Sequence, residues 1–173
     1  KVKYFGFDCN VSKINETLEQ SVMNQTTDAK VRLLIQQDGQ TRCEVKKFQA
    51  EPNKHYRATL ALTPISCSNV FLYHKTTNRT VYNREGEQPD SDTVILWNEN
   101  GEITEATDAN IVAEIDGKLV TPPVSCGLLA GTFRAELLSR GEIIEQRLSK
   151  NDLLGAKRIW LINSLRGWMV AKL

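Results

Sequence analysis

Apolar positions follow two different rhythms along this chain. In residues 12–23, Ile14, Leu18 and Val22 recur every fourth position, the spacing of one helical face, and Ser12 stands where a helix cap is expected. Before it, the apolar stretch 2–7 is closed by Gly6 and reads as the end of a helix. The rhythm then changes to two. Residues 30–35 and 41–48 read as strands around an Asp38-Gly39 hairpin signal, residues 51–54 as a turn, and residues 56–62 as a strand stopped by Pro64. Beyond a short apolar run at 70–73, the polar segment 75–84 is predicted to be a helix and 90–92 a loop. Strands follow at 93–97, 110–115, 118–121, 142–147, 158–162 and 168–171. Turn signals lie at Asn100-Gly101 and Asp116-Gly117, and Pro122-Pro123 breaks the sheet. Helices are expected at 131–140, with Phe133, Leu137 and Leu138 on one side, and at 150–156.

This order of elements is α+β, with many hairpins, and fits a doubly wound parallel sheet poorly. We expect a small front lobe over residues 1–66 and a larger, hairpin-rich lobe over 67–173. Lys plus Arg number 22 against 21 for Asp plus Glu, so the net charge of +1 offers no footprint for nucleic acid or an anionic membrane. Without a long apolar run, a membrane span is not expected either. Cys9, Cys43, Cys67 and Cys126 are far apart with no C-x-x-C pair, which speaks against structural zinc. Together with the lack of a signal-peptide pattern, they are expected to be free thiols of a cytoplasmic protein. His55 and His74 are the only histidines, so no metal site is expected. Trp97, Trp160 and Trp168 lie in strand-like segments and read as core. Phosphate-loop, dinucleotide-binding, nucleophile-elbow and zinc-protease motifs are all missing. Residue patterns alone thus reach an α+β domain and no particular reaction.

Two segments carry more. ITEATDANIV at 103–112 follows a strand and an Asn-Gly turn, and LVTPPVSCGLLAGTFRAELL spans 119–138. In that order they resemble the fold-type IV pyridoxal-phosphate enzymes, which include branched-chain aminotransferases, D-amino-acid aminotransferases and 4-amino-4-deoxychorismate lyases. FLYHKTTNRTVY at 71–82 resembles that group's lysine segment, and its H-K-T-T form is most like the lyase branch, including forms fused behind an aminodeoxychorismate synthase. The resemblance runs over nearly the whole chain.

It implies a fold-type IV architecture, pyridoxal 5'-phosphate as cofactor, and a role for each of several residues. Lys75 would hold the cofactor's aldehyde covalently and act as catalytic base, from a desolvated site that lowers its affinity for a proton. Glu105 would keep the pyridine nitrogen protonated, with Asn110 bracing its loop. Gly131, Thr132 and Phe133 would bring helix N-terminal amides to the phosphate, and Ser164 a hydroxyl. Arg79 and Arg166 are candidate partners for substrate carboxylates, since guanidinium matches carboxylate geometry.

There are departures. Thr80 stands where many aminotransferases of the group carry a tyrosine, five residues after the lysine. The group's phosphate-binding arginine falls in a segment before Val2, and the sequence starts at Lys1 rather than Met, as a fragment or processed product would. Three functions follow from the resemblance. The first is a 4-amino-4-deoxychorismate lyase, making 4-aminobenzoate and pyruvate in folate biosynthesis. The second is a branched-chain or D-amino-acid aminotransferase. The third is a non-catalytic domain kept for association. A homodimer is expected by analogy, with a fused or associated aminodeoxychorismate synthase as a further partner.

Overall fold

A computed structural model of the protein describes residues 2–51, 53–83 and 90–173. The chain divides into two compact units, Lys1–Glu51 and Pro52–Leu173. The division falls earlier than the boundary expected after residue 66, because the strand at Tyr56–Leu60 is hydrogen-bonded into the sheet of the second unit. Two residues of predicted elements, Pro52 in the turn at 51–54 and Arg84 at the end of the helix 75–84, lie outside the described residues.

The first unit contains helices α1 (Val2–Phe5) and α2 (Val11–Val22) and strands β1 (Ala29–Ile35) and β2 (Thr41–Lys47). Gly6, at φ +66, ends α1 in a left-handed conformation that costs glycine little. Helix α2 is capped by Asn10, whose side chain accepts from the Lys13 N–H at 3.1 Å, rather than by Ser12. An Asx side chain outside the first turn satisfies an otherwise orphaned donor. The β1–β2 hairpin pairs Ile35 with Thr41 across the Asp38-Gly39 turn, as the sequence suggests. Helix α2 packs on β2, where the Thr17 and Thr41 hydroxyls are 2.8 Å apart.

The second unit is built on β3 (Tyr56–Leu60), β4 (Thr93–Trp97), β5 (Ile103–Ala106), β6 (Asn110–Ile115), β7 (Lys118–Thr121), helix α3 (Thr132–Ser139), β8 (Ile144–Glu145), α4 (Lys150–Leu154), β9 (Arg158–Asn163) and β10 (Gly167–Lys172). Among the described residues the strands form one mixed sheet in the order β5-β4-β3-β10-β9-β6-β7-β8. Strand β5 is thus an edge, separated from β6 by four strands, yet only residues 107–109 connect the two. The Ala106 N–H donates to the Ala109 carbonyl at 2.9 Å across that connection. So short a link between strands so distant in the sheet requires the sheet to curl back on itself, and the unit is a half-barrel.

Alternation along the strands sorts side chains to its two faces. Ile95, Ile103, Ile111, Ala113, Val120 and Leu161 meet in the concave core with Leu148 and Leu153. On the other face Val112 and Ile162 pack against Leu137 of α3, while Val94 and Leu96 pack against Leu72 from the segment after β3. Leu72, wholly buried, therefore anchors the segment that carries Lys75. No helix among the described residues is long and apolar enough to cross a membrane.

Two predicted elements differ. The helix expected at 75–84 is a loop ending in a 3-10 turn, Thr80–Tyr82. Here Asn78 accepts from both the N–H and the hydroxyl of Thr80, and the Thr76 hydroxyl donates to the Asn78 carbonyl at 3.2 Å. Short polar side chains that bond to nearby backbone compete with helix formation, and three threonines add β-branched stiffness. The strand expected at 142–147 shrinks to Ile144–Glu145, since Ile143 turns into the core and Arg147 reaches Glu102 instead.

Candidate active site

Strand β5 ends at the curl of the half-barrel, and it carries Glu105 with only 4% of its surface exposed. A buried carboxylate needs donors, and three are supplied. The Tyr82 hydroxyl donates to Oε1 at 2.8 Å, the Leu129 N–H to the same oxygen at 3.1 Å, and the Asn110 amide to Oε2 at 3.2 Å. Burial pushes the Glu105 carboxyl up to about 7. The bonds from Tyr82 and Leu129 and the positive charges of Arg79 and Lys75 pull it the other way and only partly offset burial. The Tyr82 phenol is itself raised, first by burial and then by the neighbouring Glu105 charge.

Asn110, at the start of β6, holds more than the carboxylate. Its amide also donates to the Leu129 carbonyl at 2.8 Å, and its Oδ1 lies against Gly131. A Cβ on Gly131 would stand 2.2 Å from that oxygen, so any side chain there would have to displace the Asn110 amide. Gly131 is the N-cap of α3, whose first N–H groups lack intrahelical acceptors. Beside them the hydroxyls of Thr132 and Ser164 are hydrogen-bonded to each other. Both residues are exposed. Ser164 is held in the β9–β10 turn, where Asn163 Oδ1 accepts from the Leu165 and Arg166 amides at 3.1 and 2.9 Å.

Lys75 sits in the loop after the 3-10 turn Val70–Leu72 and is exposed, not desolvated as expected from the sequence, though near enough for its charge to favour ionised Glu105. Arg79 donates to the Thr107 carbonyl and places its guanidinium 4.4 Å from the centre of the Tyr82 ring. It lines an open pocket with Thr80, Tyr82 and Asn83. Arg166 lies exposed in the β9–β10 turn. The Phe133 side chain turns away to stack edge-on with Trp168, leaving only its amide for an anion.

The structure therefore joins Glu105, Asn110 and Gly131 by direct contact and Thr132 to Ser164. Tyr82 and the Leu129 amide were not foreseen: Tyr82 fell in a segment read as a polar helix, and a backbone donor leaves no mark in a sequence. The donor set suits pyridoxal phosphate. A buried carboxylate that, among the described residues, meets only neutral donors at hydrogen-bonding distance would welcome a pyridinium N–H, and Oε2 has accepting capacity left. Free amides, a hydroxyl pair and a glycine where a Cβ would displace Asn110 make an anion cradle at the head of α3.

Comparisons with known proteins agree. The family profile of amino-transferase class IV matches residues 2–173. The "Putative aminodeoxychorismate lyase" of Schizosaccharomyces pombe (strain 972 / ATCC 24843) is 30% identical, with 95% of this chain and 75% of that protein aligned. Among solved structures, the "Putative amino-acid aminotransferase" from Mesorhizobium loti is 36% identical with a TM-score of 0.93, over 99% of this chain and 85% of that one. The "Putative 4-amino-4-deoxychorismate lyase" from Legionella pneumophila has the same fold, with a TM-score of 0.82 at 20% identity, over 98% of this chain and 72% of that one. The chain belongs to the amino-transferase class IV family, the fold-type IV enzymes that depend on pyridoxal phosphate.

Proposed function

We propose that this protein is a pyridoxal-phosphate-dependent 4-amino-4-deoxychorismate lyase, releasing 4-aminobenzoate and pyruvate. The observation that carries a pyridoxal-phosphate reading is the Glu105 carboxylate, buried, held by three neutral donors and lying near Lys75. What favours the lyase is the likeness to the fission-yeast protein and the H-K-T-T form at 74–77.

When bound, pyridoxal phosphate supplies an aldehyde and an electron-withdrawing ring that stabilises negative charge on the carbon bearing the substrate's amine. Lys75 would hold the aldehyde through its Nζ and give way to the substrate amine. Its freed Nζ would then take the proton from that carbon and later return one to the product. Glu105 Oε2 would accept from the ring nitrogen and keep a proton there. The amides of Thr132 and Phe133, with the Ser164 hydroxyl, would bind the phosphate. Arg79 and Arg166 are candidates for the substrate carboxylates. Arg79 would first release the Thr107 carbonyl. The enzyme would work in the cytoplasm as a homodimer, supplied by an aminodeoxychorismate synthase.

A second reading, transfer of the amino group to a keto acid, is favoured by the 36% identity to the Mesorhizobium loti protein. Product analysis with aminodeoxychorismate decides. Pyruvate and 4-aminobenzoate in equal amounts support the lyase, and amino transfer from an amino acid to a keto acid supports the aminotransferase. A protein that takes up no pyridoxal phosphate, showing no visible band that Lys75→Ala abolishes, overturns both.

A further inference from the structure

We infer that Tyr82 is a positioning residue, which fixes the Glu105 carboxylate so that Oε2 is presented to the cofactor nitrogen while Oε1 is kept occupied. This rests on the pyridoxal-phosphate reading for the cofactor's place, but its core concerns only residues of this chain. Oε1 accepts two hydrogen bonds, from the Tyr82 hydroxyl at 2.8 Å and the Leu129 N–H at 3.1 Å, whereas Oε2 accepts one, from Asn110 at 3.2 Å. With roughly two acceptor sites on each oxygen, the capacity left for a further donor is on Oε2.

Tyr82 is itself held. Its ring packs in the cluster of Leu72, Val94 and Leu96 on one face of β4. Its other neighbour is Arg79, stacked at 4.4 Å and tied to the Thr107 carbonyl, next to the connection that brings Asn110 to Glu105. The loop bearing Lys75 and the strand bearing Glu105 are thus strapped together through Tyr82 and Arg79. Tyr82 stands seven positions after Lys75, two beyond Thr80, and its hydroxyl is committed to Glu105. Among the described residues, the charged and titratable groups that act on the carboxylate are Tyr82, Arg79 and Lys75, beside the neutral Asn110 amide and Leu129 N–H.

The test begins with the cofactor-free protein. The Glu105 carboxyl is titrated by carbon NMR, assigned with Glu105→Gln, in wild type and in Tyr82→Phe. Loss of a donor to the ionised form should raise its pKa by about one unit. An unchanged or lowered value overturns the proposal. If Tyr82→Phe fails to fold, the phenol decides instead: in Glu105→Gln its ultraviolet titration should move down toward the ordinary tyrosine range, and an unmoved phenol overturns the proposal. Pyridoxal phosphate is then added. Tyr82→Phe should weaken its binding about tenfold, as one charge-assisted hydrogen bond is worth, and adding the change to Glu105→Gln should cost nothing further. Additive losses in the double variant overturn the orienting role. Binding that Lys75→Ala leaves with an unaltered spectrum would refute the cofactor reading and leave the cofactor-free result standing.

Discussion

Gly131 and Asn110 lie so close that the glycine's missing Cβ would stand 2.2 Å from the asparagine's Oδ1. One contact thus couples the start of α3 to the residue that holds Glu105. Gly131→Ala should push the Asn110 amide off both Glu105 and the Leu129 carbonyl, costing about 1–3 kcal/mol as an overpacked site. Thermal melting measures the stability, and titration with pyridoxal phosphate should show weaker binding than a surface alanine control.

Glu105 predicts a pH dependence of stability. Its folded pKa, about 7, lies above the ordinary value of 4.5, so between those values the folded state binds more protons than the unfolded one. The contribution of this group is therefore fully favourable below about pH 4.5 and is lost as pH rises through about 7. Asp92, Glu102 and Asp152 are shifted downward, mainly by hydrogen bonds they accept, and act in the opposite sense. The test is accordingly a difference. Relative to wild type, cofactor-free Glu105→Gln should gain up to about 3 kcal/mol between pH 5 and pH 8. Denaturant unfolding at the two pH values measures it, and a flat difference would contradict the buried carboxylate.

Thr132 and Ser164 share one hydrogen bond between hydroxyls at the head of α3. Both side chains are exposed, so removing either should leave the melting temperature nearly unchanged. Thr132→Val and Ser164→Ala should each weaken pyridoxal-phosphate binding by about tenfold, the worth of one bond to a charged oxygen, and pyridoxal lacking the phosphate should not distinguish them from wild type.

Leu72 has no exposed surface and holds the Lys75 segment against Val94 and Leu96. Leu72→Ala should cost about 2–5 kcal/mol and speed amide exchange in residues 72–82 before the rest of the half-barrel. Uniform loosening would show that the segment is held by other contacts.

Much of the fold could be read from local signals. Asp116-Gly117 marks a turn because both residues adopt positive φ there, and the strands on either side pair as expected. The buried strand β4 shows as the continuous run TVILW. Glu105 and Asn110 were found only through an ordered motif, since a glutamate in a hairpin strand has no pattern of its own. The segment 75–83 was misread because its polarity suits a solvated helix, and the bonds made by Asn78 that prevent one depend on loop geometry. The early end of the first unit was hidden too. Tyr56–Leu60 follows the front strands in sequence but pairs in parallel with β4 and β10, on partners 35 and 115 residues away.

The closure of the half-barrel rests on residues 107–109, and both the placement of Asn110 beside Glu105 and the strand pairing depend on that span. It works as a ruler. One residue inserted there would rotate the next strand by half a pleat, sending Asn110 to the opposite side of the wall. Length variation among relatives should therefore gather at other rims of the curved sheet and spare this one.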